Sequence, residues 1–173
     1  MKLENLPDVK PLPAEGYDSR PMKYGEWKAR YELARLEVPP EVQAFLPVSE
    51  AEFHVSALEQ LVEPIVRVTQ KTDIRRWAFE KDGRLAGTLY LGARRTEAKV
   101  FHTVDMRILP ELRPILTEPM LTLALQTLQA YPRQITRAQI RTSYTDLIDT
   151  FKKFGFEEIE VTHRLGLRCK KQD

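Results

Sequence analysis

Residues 104–131 constrain the fold more than any other segment, because the spacing of the hydrophobic residues changes within them. Apolar and polar residues alternate from Val104 to Ile108, which predicts a half-buried strand. From Leu121 to Leu128 the apolar residues recur every three or four positions, which predicts a helix with one buried face. Many folds hold an anionic ligand between a strand and a following helix, because free backbone N–H groups and the helix dipole converge there. The sequence therefore raises the question of whether residues 109–119 still bind such a ligand.

A β-hairpin precedes this segment. Residues 77–80 and 85–91 have strand character, and Asp82-Gly83 between them supplies the positive φ angles of a type I′ turn. Near the end of the chain, Gly155 is expected to stop a helix in a left-handed conformation, and Phe156 is expected to pack back against Phe151. Further strands are predicted at 17–22, 99–109, 134–141 and 158–169, and further helices at 24–36, 143–154 and, in pieces, 41–70.

The order of these elements predicts an α+β fold with a mixed, mostly antiparallel central sheet and helices on both faces. Helices cluster in the first half of the chain, whereas strands and helices alternate in the second half. Residues 1–16 contain three prolines and little periodicity, so they are expected to form an extended or flexible N-terminal arm. Residues 17–173 are expected to form one domain, since the whole length of 173 residues suits a single core.

Composition excludes several classes of function. The net charge of +2 comes from interspersed acidic and basic residues, which argues against a nucleic-acid partner. No apolar run approaches the roughly 20 residues that cross a membrane, so we expect no membrane partner and a cytoplasmic location. The single cysteine, Cys169, excludes an internal disulfide. His54, His102 and His163 lack the spacing of metal ligands, so no metal is expected.

Three short motifs occur in a recognisable order: DGRLAG at 82–87, VDMRILPELR at 104–113 and FKKFGFEEIE at 151–160. Together with the order of elements, they resemble the GNAT superfamily of acyl-CoA-dependent N-acetyltransferases over about residues 17–169. The resemblance implies a GNAT-like fold and the transfer of an acyl group from acetyl-CoA, or a related acyl-CoA, to a small-molecule primary amine. It also implies that unpaired backbone groups around Met106, Ile108 and Leu109 bind the pantetheine arm of CoA.

The segment that would hold the pyrophosphate of CoA departs from the family pattern. Arg113 matches the start of the family's loop, but no glycine follows it, and Pro114 lacks a backbone N–H. Thr117 is expected to be the N-cap of the helix, with Glu118 placing a negative charge in its first turn. Arg113, Ile115 and Thr117 are therefore the candidate residues of a degenerate loop, and we expect acetyl-CoA or CoA to bind weakly there.

The resemblance also points to candidate catalytic residues. A carboxylate or a histidine on the central strand would take a proton from the amine, and the candidates are His102 and Asp105. Because side chains alternate along a strand, these two residues face opposite sides of the sheet. The family's tyrosine acid aligns with Phe151, which has no proton to give. Tyr144 is either a displaced acid or a packing residue.

The sequence is compatible with two functions. The first is an N-acyltransferase that is weak or inactive alone. The second is a non-catalytic GNAT-fold module that binds a ligand or regulates a partner. A homodimer and a tandem-domain partner are both compatible with the sequence.

Overall fold

We describe the protein from a computed structural model. The structure describes residues 1–54, 65, 69, 71–96 and 101–162. The second half of the helical segment predicted at 41–70 therefore lies mainly outside the described residues, as do His163 and Cys169.

One six-stranded sheet forms the centre of the described chain. Its strands are β1 (Lys2–Leu3), β2 (Asp18–Pro21), β3 (Thr72–Lys81), β4 (Arg84–Arg94), β5 (His102–Ile108) and β6 (Thr136–Ala138). They lie in the order β1-β6-β5-β4-β3-β2. Only β5 and β6 are parallel, and the other neighbouring strands are antiparallel. The predicted α+β fold with a mixed, mostly antiparallel sheet is confirmed.

Helices cover both faces of this sheet, as predicted. They are α1 (Trp27–Glu37), α2 (Pro40–Gln43), α3 (Arg113–Leu128) and α4 (Thr145–Lys153), with short 3-10 turns at Tyr24–Glu26, Glu50–Glu52 and Pro110–Leu112. Val104 and Ile108 on β5 share one hydrophobic core with the buried residues of α3. Arg107, whose side chain alternates to the opposite face, contacts Glu37 of α1. The two helices therefore lie on opposite sides of β5.

Two local predictions about turns are confirmed. Asp82 and Gly83 both have positive φ angles, 52° and 73°, as a type I′ turn requires. Gly155 has a φ of 87°, and the N–H of Phe156 donates to the carbonyl of Phe151 at 3.1 Å. The rings of Phe151 and Phe156 lie 4.9 Å apart, so the expected hydrophobic contact closes the end of α4.

The predicted start of α3 was wrong. The helix begins at Arg113 rather than after Thr117, and Thr117 lies inside it, where its hydroxyl donates to the Arg113 carbonyl at 2.7 Å. Pro119 also lies inside the helix and leaves one carbonyl without its usual donor, a cost of about 3 kcal/mol. Leu116 and Met120 are fully buried, and each such side chain contributes about 1.5–3 kcal/mol. Core packing thus outweighs the local signals for a later start.

The N-terminal arm is extended and built into the fold. Its first residues form β1 at the outer edge of β6, and Leu3 is buried in the core. The terminal amine of Met1 donates to the carbonyl of Ala138 at 2.7 Å. Further along, the N–H of Leu12 donates to the hydroxyl of Thr122 at 3.0 Å. The arm therefore contributes to both the sheet and the α3 face.

The predicted last strand was wrong in its described part. Glu157 forms an isolated bridge with Lys2, and residues 158–162 have no strand structure. The reason is that β1 already occupies the free edge of β6. None of the helices in the described part of the chain has the length and apolar character needed to cross a membrane.

Candidate functional site

A gap opens in the sheet between β5 and β6. The two strands pair only from His102 to Val104, whereas β5 continues to Ile108 beside β4. The N–H of His102 donates toward the β6 side, to the carbonyl of Ile135 at 2.9 Å. By alternation, the backbone groups of Met106 and Ile108 face the same side, beyond the point where β6 pairs. Met106 and Ile108 therefore have the unpaired backbone groups that we expected a ligand to meet.

Leu109, in contrast to Met106 and Ile108, has no free backbone group that faces the gap. Its N–H donates to the carbonyl of Ala86 at 3.1 Å, and its carbonyl accepts from the N–H of Leu112 at 2.9 Å. Both of its backbone groups are therefore used within the protein. The N–H of Leu109 points toward β4 rather than the gap, and its predicted contact with a cofactor stays a prediction.

Arg113 lies buried at the first position of α3. Its guanidinium stacks 3.6 Å from the ring centre of Tyr144. Its Nε and Nη2 atoms are buried and have no hydrogen-bond partner among the described residues. Buried donors are nearly always paired, so these two N–H groups are candidates for contact with an anion.

The other two predicted loop residues differ from Arg113. Ile115 is exposed in the first turn of α3, so its side chain makes no enclosed site. Thr117 is buried and its hydroxyl is bonded to the Arg113 carbonyl. Thr117 lies inside the helix rather than at its N-cap, and its predicted contact with a cofactor stays a prediction.

Asp105 lies on the sheet face that α1 covers. The residue is exposed, although neighbouring protein atoms crowd its carboxyl group. Burial raises the pKa of this carboxyl, while Arg107, the N–H of Met106 and Arg30 oppose the shift. A carboxylate with a raised pKa accepts a proton more readily than an ordinary aspartate does.

His102 lies on the opposite face and has no exposed surface. Its Nδ1 accepts from the N–H of Arg94 at 3.0 Å, and its Nε2 lies 3.0 Å from the carbonyl of Pro132. Those partners assign the proton to Nε2 in a neutral ring, and burial lowers the pKa of His102. Both ring nitrogens are thus occupied, which argues against the predicted role as a base.

Tyr144 lies at the start of α4, buried among the ends of three helices. Its hydroxyl donates to the backbone carbonyl of Glu37 at 3.1 Å. Burial, followed by the charge of Glu37, raises the pKa of Tyr144, so its proton is retained. Phe151, at the position where the family has an acid, is packed in the core. The hydroxyl of Tyr144 therefore has a structural role. It would have to break its hydrogen bond to the Glu37 carbonyl before it could act as an acid.

The structure places Glu37, Arg30 and Arg107 near Asp105, and sequence reasoning did not name any of the three as a site residue. Glu37 ends α1 with a buried carboxylate, and its Oε2 lies 3.2 Å from Nη1 of Arg107. Burial raises the pKa of Glu37, and the charge of Arg107 opposes it. Strand alternation could have placed Arg107 on the face of Asp105, but nothing local links either residue to α1.

Comparison with known proteins shows which solved structures share this fold. No protein-family model matches the chain, and no curated protein gives a significant match. The PaiA N-acetyltransferase from Thermoplasma acidophilum, solved with coenzyme A, superposes with a TM-score of 0.55 at 17% identity, over 84% of this chain and 92% of that one. The chain has the GNAT acetyltransferase fold.

Two further structures share this GNAT fold. The aminoglycoside N-acetyltransferase AAC(6')-Iy, in complex with CoA, superposes with a TM-score of 0.53 at 16% identity, over 88% of this chain and 95% of that one. A transcriptional regulator from Bacillus halodurans superposes with a TM-score of 0.54 at 9% identity, over 87% of this chain and 99% of that one. At these identities the likeness establishes the GNAT fold alone. A function has to be inferred from the residues of the site.

Proposed function

We propose that this chain is an N-acetyltransferase that moves an acetyl group from acetyl-CoA, or a related acyl-CoA, to a primary amine. The observation that carries this proposal is the Asp105 carboxylate, which lies on the central strand beside the gap between β5 and β6. Two structures with the same fold contain CoA, which supports the choice of donor.

The residues at the gap fit an acyl-CoA. Backbone groups of Met106 and Ile108 face the gap and would pair with the pantetheine arm. The unpartnered N–H groups of Arg113 would bind an anionic part of the same ligand. When bound, acetyl-CoA supplies the thioester carbonyl that the amine attacks.

Asp105 has the main chemical role in this proposal. An acceptor amine is protonated at neutral pH and must lose a proton before it attacks. Asp105 accepts that proton, and its raised pKa makes the transfer less unfavourable than it would be for an ordinary aspartate. Tyr144 retains its proton and would serve as the acid only after its bond to Glu37 opens.

A non-catalytic GNAT-fold module is the second candidate. The first turn of α3 contains Pro114, which has no backbone N–H, so this turn offers one backbone donor fewer to an anion. The fold also occurs in a protein described as a transcriptional regulator. Weak turnover by the chain alone, a small-molecule amine as acceptor, a homodimer or tandem-domain partner and a cytoplasmic location all stay predictions.

The decisive experiment compares wild type with Asp105→Asn. Release of the CoA thiol from acetyl-CoA would be followed with a panel of primary amines, and CoA binding would be measured by calorimetry. We expect the variant to keep CoA affinity and to lose about 10²–10⁴-fold in kcat, the usual contribution of a general base. Asp18→Asn, an exposed exchange on β2, is the control. CoA binding without transfer to any amine would instead support the non-catalytic module.

A further inference from the structure

Glu37 and Arg107 form an ion pair between α1 and β5. Glu37 is the last residue of α1 and its side chain is 6% exposed, whereas the side chain of Arg107 is 35% exposed. Oε2 of Glu37 lies 3.2 Å from Nη1 of Arg107. The same guanidinium lies 5.6 Å from the ring centre of Phe53. A carboxylate is seldom buried without a partner, so this pair holds Arg107 at the end of α1.

Asp105 is the next side chain on the same face of β5. Asp105 and Arg107 are two positions apart on the strand, so their side chains point to one side of the sheet at a spacing of about 6.5–7 Å. An arginine side chain is long enough to span this spacing. Asp105 itself forms no ion pair with any residue that the structure describes. Arg107 therefore lies within reach of Asp105 but is bound by Glu37.

Other charged or titratable groups also approach Asp105 in the described part of the chain. They are Arg30 and Glu37 on α1, Tyr90 on β4 and Arg76 on β3. Arg30 is a counter-charge of Asp105, although it lowers the pKa of this carboxyl less than Arg107 does. Arg76 is two strands away, at about 9.5 Å, and its guanidinium lies 5.5 Å from the ring centre of Tyr90. Arg107 is thus the cation whose position matters most to Asp105.

The position of Arg107 affects how readily Asp105 accepts a proton. Burial raises the pKa of Asp105, and the charge of Arg107 is the strongest influence that opposes this rise. An opposite charge in direct contact lowers the pKa of a carboxyl group much further. An ion pair between Arg107 and Asp105 would therefore counteract the effect of burial and also occupy the oxygen atoms that receive the proton.

We propose that Glu37 is a positioning residue for the proposed base: its carboxylate holds the guanidinium of Arg107 and so prevents an ion pair between Arg107 and Asp105. This inference rests on the proposed function, in which Asp105 accepts the proton of the amine. Glu37 takes no part in the proton transfer itself, because its carboxylate is buried and bound to Arg107. The ion pair therefore serves Asp105 through the arginine alone.

Exchanges of the two members of the ion pair should affect Asp105 in opposite directions. Glu37→Gln releases Arg107 toward Asp105, so the acid dissociation constant of Asp105 should rise about tenfold or more. Arg107→Met removes a positive charge, so this constant should fall. NMR titration of the side-chain carboxyl carbons in the full chain without substrate measures both effects, and Asp105→Asn assigns the signal. A contact that only joins α1 to β5 is lost in both variants, so effects in the same direction would overturn the inference.

The double variant Glu37→Gln/Arg107→Met shows whether the effect passes through Arg107. It leaves neither charge unpaired in the interior, so it tests the inference even if Arg107→Met alone does not fold. We expect the tenfold rise seen in Glu37→Gln to disappear in the double variant. A rise that persists without Arg107 would overturn the positioning role.

Turnover provides the second readout. In Glu37→Gln, the acidic limb of the pH profile of kcat/KM should move to lower pH, because a weaker base loses its proton earlier. Glu37→Asp should restore part of the wild-type profile. Glu32→Gln is the matched control, because Glu32 lies on the same helix and pairs with Arg35 at 3.5 Å on the surface. Its profile should be that of wild type.

The two readouts separate this inference from the proposed function. Loss of turnover in Asp105→Asn, together with an unchanged titration and pH profile in Glu37→Gln, would contradict the inference alone. The expected titrations together with full turnover in Asp105→Asn would support the hold of Glu37 on Arg107 and contradict the proposed function.

Discussion

The hydroxyl of Tyr144 donates to the backbone carbonyl of Glu37 at 3.1 Å, which ties the start of α4 to the last residue of α1. The same residue, Glu37, holds Arg107 through its side chain at 3.2 Å. One position therefore fixes the end of α1 to both α4 and β5. Because α1 packs on the sheet face that carries Asp105, these two contacts fix the end of α1 over that face.

Tyr144→Phe separates a structural role of this tyrosine from a catalytic one. The exchange leaves the buried Glu37 carbonyl without its donor, which should lower the free energy of unfolding by about 1–3 kcal/mol. If the hydroxyl served only this bond, kcat would change little. A loss of about 10²-fold or more in kcat would assign it the acid role. Urea unfolding and thiol release measure the two effects, with Tyr17→Phe as the control.

Arg113→Met tests the anion-binding position at the start of α3. Replacing a buried guanidinium with an apolar side chain of similar length should leave the free energy of unfolding unchanged or raise it. Loss of the guanidinium should weaken CoA binding by about tenfold or more, as measured by calorimetry. A destabilised variant with unchanged CoA affinity would show that Arg113 only supports Tyr144.

Pro114→Ala tests the first turn of α3. The exchange restores a backbone N–H at the end of the helix that attracts anions, so CoA affinity should improve by about two- to tenfold. Glu118→Gln is the matched control, because Glu118 is exposed in the second turn and should affect CoA little. A larger improvement from Glu118→Gln would mean that its charge, rather than the missing donor, limits binding.

Glu37→Gln is expected to change the pH dependence of stability. Burial raises the pKa of Glu37 above its ordinary value of 4.5, so the folded state binds the proton more tightly than the unfolded chain does. The stability that this group contributes is full below pH 4.5 and is lost as pH rises through the raised pKa. The variant should therefore lose less stability than wild type between about pH 4 and 8. Urea unfolding across this range measures the difference.

Glu26→Gln is the control of opposite sign. Hydrogen bonds from Arg20 lower the pKa of Glu26, so its contribution to stability is present above pH 4.5 and is lost as pH falls. Its exchange should remove stability at neutral pH. Parallel pH profiles for both variants would contradict the assignment of these shifts.

The sequence predicts the parts of the fold that depend on neighbouring residues. Asp82-Gly83 and Gly155 adopt the expected positive φ angles because the need for such angles is local. The start of α3 is different, since Thr117 and Pro119 give local signals that the burial of Leu116 overrides. A competition between local preference and core packing is decided by contacts that are distant in sequence.

In the candidate site, too, the sequence predicts what depends on neighbouring residues and misses what depends on distant contacts. Alternation along β5 correctly separates His102 from Asp105. It does not tell which face is open, because that depends on where α1 packs. Arg107 meets Glu37 from 70 positions away, so no pattern within either segment could reveal their contact.

The short pairing between β5 and β6 also affects how the protein opens. Backbone hydrogen bonds join these strands over only three residues, His102–Val104, whereas β3 and β4 pair along their whole lengths. Local opening proceeds most easily where few such bonds must break. Amide hydrogens of β6 should therefore exchange with deuterium before those of β4. A molecule that fills the gap would bridge the two halves of the sheet and slow this exchange.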